Sequence, residues 1–329
     1  MHYSILNLIT SVAVVGVNFF LPILSVISDG ARVNMVSASG IDENLSSFEL
    51  GLKNQYLPIY HLPVNNDIIM PNKMARFEEF NLEATSGLIM DIKTKDTLYG
   101  KMIDEKFPIA SITKLMTALV FLEQNPRFTD IYKVGRGDRR NGGKIFLYTG
   151  DEVKVSDLFN LALVPSANTA TIAMLSSVGV SESDFVVKMN NKASELGLTN
   201  TFFKDATGLS ELNVSTARDL AKLVAIAMAN DKIEQAVRQD KYVFATVNNQ
   251  KRTALSTDDL LTTFNDERIK LLGGKTGYTG FAKYCFVSKF SDQFGNMVVS
   301  VVLGAQEKED RFLETEKMVK WVYNNYQWE

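Results

Sequence analysis

The sequence predicts an α+β fold, and the order of its segments is what predicts it. Strand-like stretches lie at 86–101 and 284–305, with apolar helical stretches crowded between them. A last helical stripe, Met318, Trp321, Val322 and Tyr326, follows the second group of strands. With 329 residues, 46% hydrophobic and 22% charged, the chain can bury a large core.

Tyr3 to Ser28 carries no charged side chain, a run longer than the ~18–20 apolar residues that span a bilayer. Residues 1–28 are therefore expected to be an N-terminal membrane anchor or a signal segment. Ser37-Ala38-Ser39 offers small residues for cleavage, though far downstream. No Lys or Arg precedes the run and Arg32 follows it, so flanking charge does not argue for an external C-terminus. Residues 29–80, polar and carrying Pro58, Pro63 and Pro71, read as an irregular stalk or lead-in. Residues 81–329 read as the folded domain.

Within it, Ser86 to Ile92 and Thr97 to Lys101 form a hairpin around the polar turn Lys93 to Asp96. From Ser111 the residues are helix-forming and apolar on nearly every side, which predicts a buried helix. Asp157 to Val164 is a second helix, stopped by Pro165. Ser166-Ala167-Asn168 links it to another at Thr169 to Ser176. Ser215 to Met228 has Ser or Thr at its start and an apolar face at helical spacing. Tyr284 to Lys289 and Met297 to Ala305 are strands joined by the Ser291 to Asn296 turn.

Scarce residues exclude several chemistries. Net charge is −3 with no basic stripe, so no nucleic acid partner is expected. There are two histidines, His2 and His61, and one cysteine, Cys285. No zinc-site spacing exists, and neither metal nor cofactor is expected. A Ser-His-Asp triad would have to use His61, which is Pro-flanked and lacks a Gly-x-Ser-x-Gly partner. A hydrolase built on this chain needs a base other than histidine. Cys285 lies in an apolar run and is expected to pack in the core.

Three short motifs supply such a base. In Ser111-Ile-Thr-Lys114, positions i and i+3 share a helix face, so the amine reaches the hydroxyl. Burial depresses a lysine pKa, and a neutral amine activates a serine. In Ser166-Ala-Asn168, the hydroxyl suits proton relay and the amide suits a substrate carbonyl. In Lys275-Thr276-Gly277, the amine and hydroxyl suit a carboxylate, and Gly lets backbone come close. Each motif alone has a bland reading: a helix cap, a loop former, an exposed hairpin turn. In this order they match the penicillin-binding proteins and β-lactamases.

Further stretches narrow the match: Pro108-Ile-Ala-Ser-Ile-Thr-Lys-Leu-Met-Thr-Ala118, Asp205-Ala-Thr-Gly-Leu209, Ser215-Thr-Ala-Arg-Asp-Leu220, Gly274-Lys-Thr-Gly-Tyr-Thr279 and Leu303-Gly-Ala305. From about Ala84 to Trp321 the sequence resembles the serine-type D-alanyl-D-alanine carboxypeptidases, the low-molecular-mass penicillin-binding proteins. The resemblance implies a transpeptidase-like catalytic domain over 81–329, with an antiparallel sheet packed against a helical cluster. It implies Ser111, Lys114 and Ser166 as catalytic residues. It implies Asn168, Lys275, Thr276, Gly277, Tyr278 and Arg311 as substrate-binding residues, with the backbone N–H groups of Ser111 and Tyr278 holding the oxyanion. The implied partners are peptidoglycan stem peptides and, as covalent inhibitors, β-lactams. The implied location is extracytoplasmic, with the membrane reached through the N-terminal segment.

Thr169 and Lys283 depart from the family pattern, where Asp and Gly are frequent. The sequence ends after the closing helix, as in the shorter, endopeptidase-like members. A D,D-endopeptidase acting on cross-links therefore stays open beside the carboxypeptidase. A β-lactamase is disfavoured, because Glu211-Leu-Asn213 lies inside the carboxypeptidase signature. A non-catalytic wall-binding module is disfavoured because all three motifs are intact.

Overall fold

Side-chain alternation along the central strands decides the architecture of the protein, seen here in a computed structural model that describes residues 70–75 and 79–329. Strands β1 (Ser86–Asp91), β2 (Thr97–Lys101), β3 (Ile269–Thr279), β4 (Lys283–Asp292) and β5 (Met297–Ala305) form one antiparallel sheet. Its spatial order is β3-β4-β5-β1-β2, so β3 is an edge. Leu88, Met90, Val287, Val299, Val301 and Leu303 face a large helical cluster. Their neighbours Ile89, Phe286, Val298 and Val302 face the other way, onto Met318, Val319 and Val322. A period of two thus covers the sheet with apolar contacts on both sides.

The helical cluster is built from α1 (Thr113–Glu123), α2 (Val155–Leu163), α3 (Asn168–Ser177), α4 (Glu182–Glu195), α5 (Ala217–Ala227) and α6 (Asp231–Val237). The α1 helix is buried from Thr113 through Ala118 and again at Val120 and Phe121, as its all-round apolar sequence predicts. Thr216 caps α5 by accepting the Asp219 N–H. The opposite layer is α7 (Asp310–Asn325). Cys285 is a free thiol fully buried in β4.

Three expectations are corrected. The helix expected from Ser111 begins with a 3₁₀ turn at Ala110–Ile112, and α1 proper starts at Thr113. Tyr326 leaves the helical stripe. It lies in a strand, Tyr326–Trp328, that pairs with Pro71–Lys73. Tyr326 is still core, and its hydroxyl donates to the Leu98 carbonyl at 2.7 Å. Residues 71–73, inside the expected irregular lead-in, are therefore paired and belong to this fold. Pro71 is tolerated because it opens the strand, where a missing N–H costs little. The anchor expected at 1–28 and the stalk up to residue 69 lie outside the described residues. Among the described residues no single helix is long and apolar enough to cross a membrane.

Phe286 is fully buried and meets Phe312 edge-on at 5.0 Å between ring centres. Phe286→Ala is expected to lower unfolding free energy by about 3–5 kcal/mol, read as a lower urea midpoint at unchanged slope.

Candidate active site

The turn that carries Ser111 is pressed between two glycine-bearing segments. A Cβ on Gly208 would lie 2.0 Å from the Ala110 carbonyl oxygen, and Gly208 has φ +87°. A Cβ on Gly277 would lie 2.7 Å from the Ile109 carbonyl oxygen. Only glycine allows both approaches. Ala110 and Ser166 themselves hold positive φ values of 47° and 62°, conformations that persist where the surroundings enforce them.

Lys114 lies one helical turn beyond Ser111 and is 1% exposed. Its Nζ is 2.8 Å from Ser111 Oγ, 2.8 Å from Asn168 Oδ1 and 2.7 Å from the Thr207 carbonyl oxygen. A neutral amine has two N–H bonds and one lone pair. Asn168 and Thr207 accept the two N–H bonds, so the lone pair is left for the Ser111 hydroxyl. Burial pushes the Lys114 ammonium down to about 7, against the opposing charge of Asp205. Asp205 also ties the turn that presents Thr207. It accepts from the N–H groups of Thr207, Gly208 and Ser210 at 2.6, 2.7 and 2.6 Å.

Across the cleft, Lys275 in β3 is also 1% exposed. Its Nζ donates to Ser166 Oγ at 2.9 Å and to the Thr276 carbonyl at 3.0 Å. Burial first, then Lys114 and Arg311, pushes its ammonium well below the usual lysine range, while Asp258 opposes the shift. Thr276 Oγ1 donates to Thr257 Oγ1 at 2.6 Å. The Lys275 motif is thus the interior of an edge strand and not an exposed turn.

Asn168 is the first residue of α3. Its Nδ2 donates to the carbonyls of Asn141 and Gly142 at 3.2 and 3.1 Å. Both N–H bonds of the amide are taken, so Asn168 here fixes Lys114 and the 141–143 loop where a free donor to substrate was expected. Arg311, at the start of α7, is 4% exposed, which removes the reading of it as a solvated helix-start arginine. Its Nη1 donates to the Gly277 carbonyl at 3.3 Å, and its guanidinium lies 4.6 Å from the Phe312 ring centre. Tyr278 is 54% exposed and stacks on Tyr284 at 4.3 Å.

Ser111, Ser166, Asn168, Thr276, Gly277, Tyr278 and Arg311 line one cleft of about 500 Å³, with Lys114 and Lys275 buried at its edge. The structure therefore brings together the three residues expected to be catalytic and the six expected to bind substrate. It adds Asp205, Thr207, Thr257 and Asp258. Asp205 had a legible signal, an Asp two residues before Thr-Gly, the pattern of a side-chain-capped turn. Thr257 and Asp258 had none.

The sequence family described as D-alanyl-D-alanine carboxypeptidase matches residues 72–307. The chain belongs to that family. D-alanyl-D-alanine carboxypeptidase DacF of Bacillus subtilis is 32% identical over 263 residues, which are 77% of this chain and 65% of that protein. This member therefore spans just under two thirds of the length of that carboxypeptidase. A D-alanyl-D-alanine endopeptidase of Pseudomonas aeruginosa is 31% identical over 244 residues, 73% of this chain and 77% of that protein. The crystal structure of the Streptomyces K15 DD-transpeptidase superposes with a TM-score of 0.69 at 28% identity, over 75% of this chain and 99% of that one.

Two outcomes follow from this geometry. Acylation of Ser111 by an activated acyl donor is expected to rise with pH through about 7, as Lys114 loses its proton and becomes a base. In a stopped-flow pH series, Lys114→Arg should abolish the rise and slow acylation roughly 10²–10⁴-fold. Gly208→Ala should destabilise the fold by more than about 1 kcal/mol in thermal melts, because its Cβ meets backbone.

Proposed function

We propose that the protein is a D-alanyl-D-alanine carboxypeptidase that acts on peptidoglycan stem peptides through an acyl-enzyme on Ser111. The observation that carries this reading is the 2.8 Å contact of a buried lysine amine with Ser111 Oγ, facing a second buried lysine on Ser166. In the first step Lys114 takes the Ser111 proton as Oγ attacks the carbonyl carbon of the D-Ala-D-Ala bond. The backbone N–H groups of Ser111 and Tyr278 hold the oxyanion, each such donor being worth about 3–4 kcal/mol. The C–N bond then breaks, and Ser166 relays a proton to the leaving amine of the terminal D-Ala. Water cleaves the ester in the second step, and the proton returns to Ser111. Lys275, Thr276 and Arg311 hold the terminal carboxylate.

The family membership supports this reading, and among the described residues no histidine lies near Ser111. The charge-free run at 3–28 and the location of peptidoglycan support an extracytoplasmic enzyme held at the membrane by its N-terminal segment. A second reading, a D,D-endopeptidase that cuts cross-links, uses the same residues on a different amine. It is supported by the 31% identity to a D-alanyl-D-alanine endopeptidase over 244 residues. Digestion of defined monomeric and cross-linked muropeptides separates the two by their products.

Labelled penicillin is expected to attach covalently to the wild type and not to Ser111→Ala, read by intact mass and peptide mapping. Equal labelling of both would remove Ser111 from the mechanism. Lys275→Ala is expected to fold and to acylate roughly tenfold to hundredfold more slowly, the loss of one charged hydrogen bond of about 1.5–3 kcal/mol.

A further inference from the structure

Facing β3 across Ser111, the wall of the cleft is positively charged. Lys133 to Lys144 holds five cations and one acid, Asp138, in a chain whose net charge is −3. Asp138 is buried and engaged locally, accepting from the Tyr132 hydroxyl, the Gly135 N–H and Ser176 Oγ. Lys133 pairs with Glu152 at 3.0 Å, and Arg140 pairs with Glu182 at 2.6 Å. Lys144 is exposed, lines the cleft, and makes no hydrogen bond or ion pair among the described residues. Lys144 and Arg311 are the charged residues of the cleft lining, which contains no Asp or Glu.

The backbone that presents Lys144 is held on both sides. Upstream, the Asn168 amide donates to the Asn141 and Gly142 carbonyls, and the Arg140 N–H donates to Thr169 Oγ1 at 3.3 Å. Downstream, Arg252 donates to the Phe146 carbonyl at 2.8 Å. Lys144 thus has two residues of chain, ~7 Å at most, to either anchor. Gly142 also fixes the side of the cleft, since a Cβ there would lie 3.3 Å from Leu209 Cδ2. The Ser111 turn is wedged between the 205–210 turn and β3. Leu209 and Lys144 therefore stand on one side of it, and Lys275 and Arg311 on the other. A peptide held by its terminal carboxylate at Lys275 and Arg311 passes Ser111 before it reaches Lys144.

We propose that Lys144 is a specificity residue that binds a second carboxylate of the substrate, on the acyl side of the scissile bond. The inference rests on Ser111 as nucleophile and on Lys275 and Arg311 as the anchor of the terminal carboxylate. An unpaired ammonium in a cleft without acids attracts an anion at that point and repels a cation. An extended peptide advances ~3.5 Å per residue, so its third and fourth residues from the end occupy the cleft beyond Ser111. The preferred peptide carries a free carboxylate on one of these two residues. A neutral or basic group in its place is turned over more slowly.

The test compares kcat/KM for release of D-Ala from synthetic peptides ending in D-Ala-D-Ala. The third or the fourth residue from the end carries either a free carboxylate or its amide. Each peptide is given to the wild type, Lys144→Gln, Lys144→Glu and Arg139→Gln. The wild type is expected to prefer the free carboxylate at one of the two positions by roughly threefold to tenfold, which identifies the residue bound. Lys144→Gln should lose that factor and Lys144→Glu should reverse it. Arg139, exposed in the same run but off the cleft lining, is the control, and Arg139→Gln should keep the preference. The ratio of acid to amide is taken within each variant, so a folding defect cancels. Equal turnover of acid and amide by the wild type would overturn the proposal while leaving Ser111 and Lys114 in place. So would an unchanged preference in both Lys144 variants, or an equal loss in Arg139→Gln. A wild type that releases D-Ala from none of the peptides would overturn the carboxypeptidase reading, and this inference with it.

Discussion

The site depends on taking the Lys114 amine out of water and giving it two fixed acceptors. Removing an ammonium from water costs several kcal/mol, and the protein avoids that cost by letting the proton go. What remains is a neutral amine whose lone pair has one place to point. Helix spacing puts the amine near Ser111, but Asn168 and the Thr207 carbonyl decide its orientation. These partners come from two distant parts of the chain, and each is held in turn by local bonds. Asp205 fixes the Thr207 turn, and the 141–142 carbonyls fix the Asn168 amide.

The second requirement is proximity. The Ser111 turn touches the 205–210 turn and the edge strand with no room for side chains between them, which is why glycine stands at 208 and 277. The sheet supplies rigidity for that contact. With apolar layers on both faces, β3 is held in register by β4, and β4 by a core of Phe286, Val298 and Val302. A catalytic geometry that must hold within fractions of an ångström is thereby built on a strand whose neighbours are fully buried.

Much of this was legible in the sequence because its signals are local. Strands β1 and β5 follow from short apolar runs bounded by polar turns, and Ser111 with Lys114 follows from one helical turn. Ser166, Lys275 and Arg311 were legible as motifs, although their meeting in one cleft is a property of the fold. What escaped was set by tertiary context. Tyr326 fits a helical stripe by spacing, yet the chain has already turned into a strand that pairs with 71–73. The saturated amide of Asn168 depends on a loop that passes close to α3. Thr257 shows nothing in its neighbouring sequence, since its part is a bond with Thr276 brought from β3.

The place of β3 at the border of the sheet carries one more consequence. An uncovered strand offers its peptide groups to any extended chain, a standing hazard of self-association. Here the ladder loses step between Leu271 and Gly274. The break leaves two short regular stretches, Ile269–Leu271 and Gly274–Thr279, each too brief for a passing chain to hold by backbone bonds alone. Stable docking demands an end group that grips the cations beside the second stretch, so the irregularity that admits a guest also screens out adhesive neighbours.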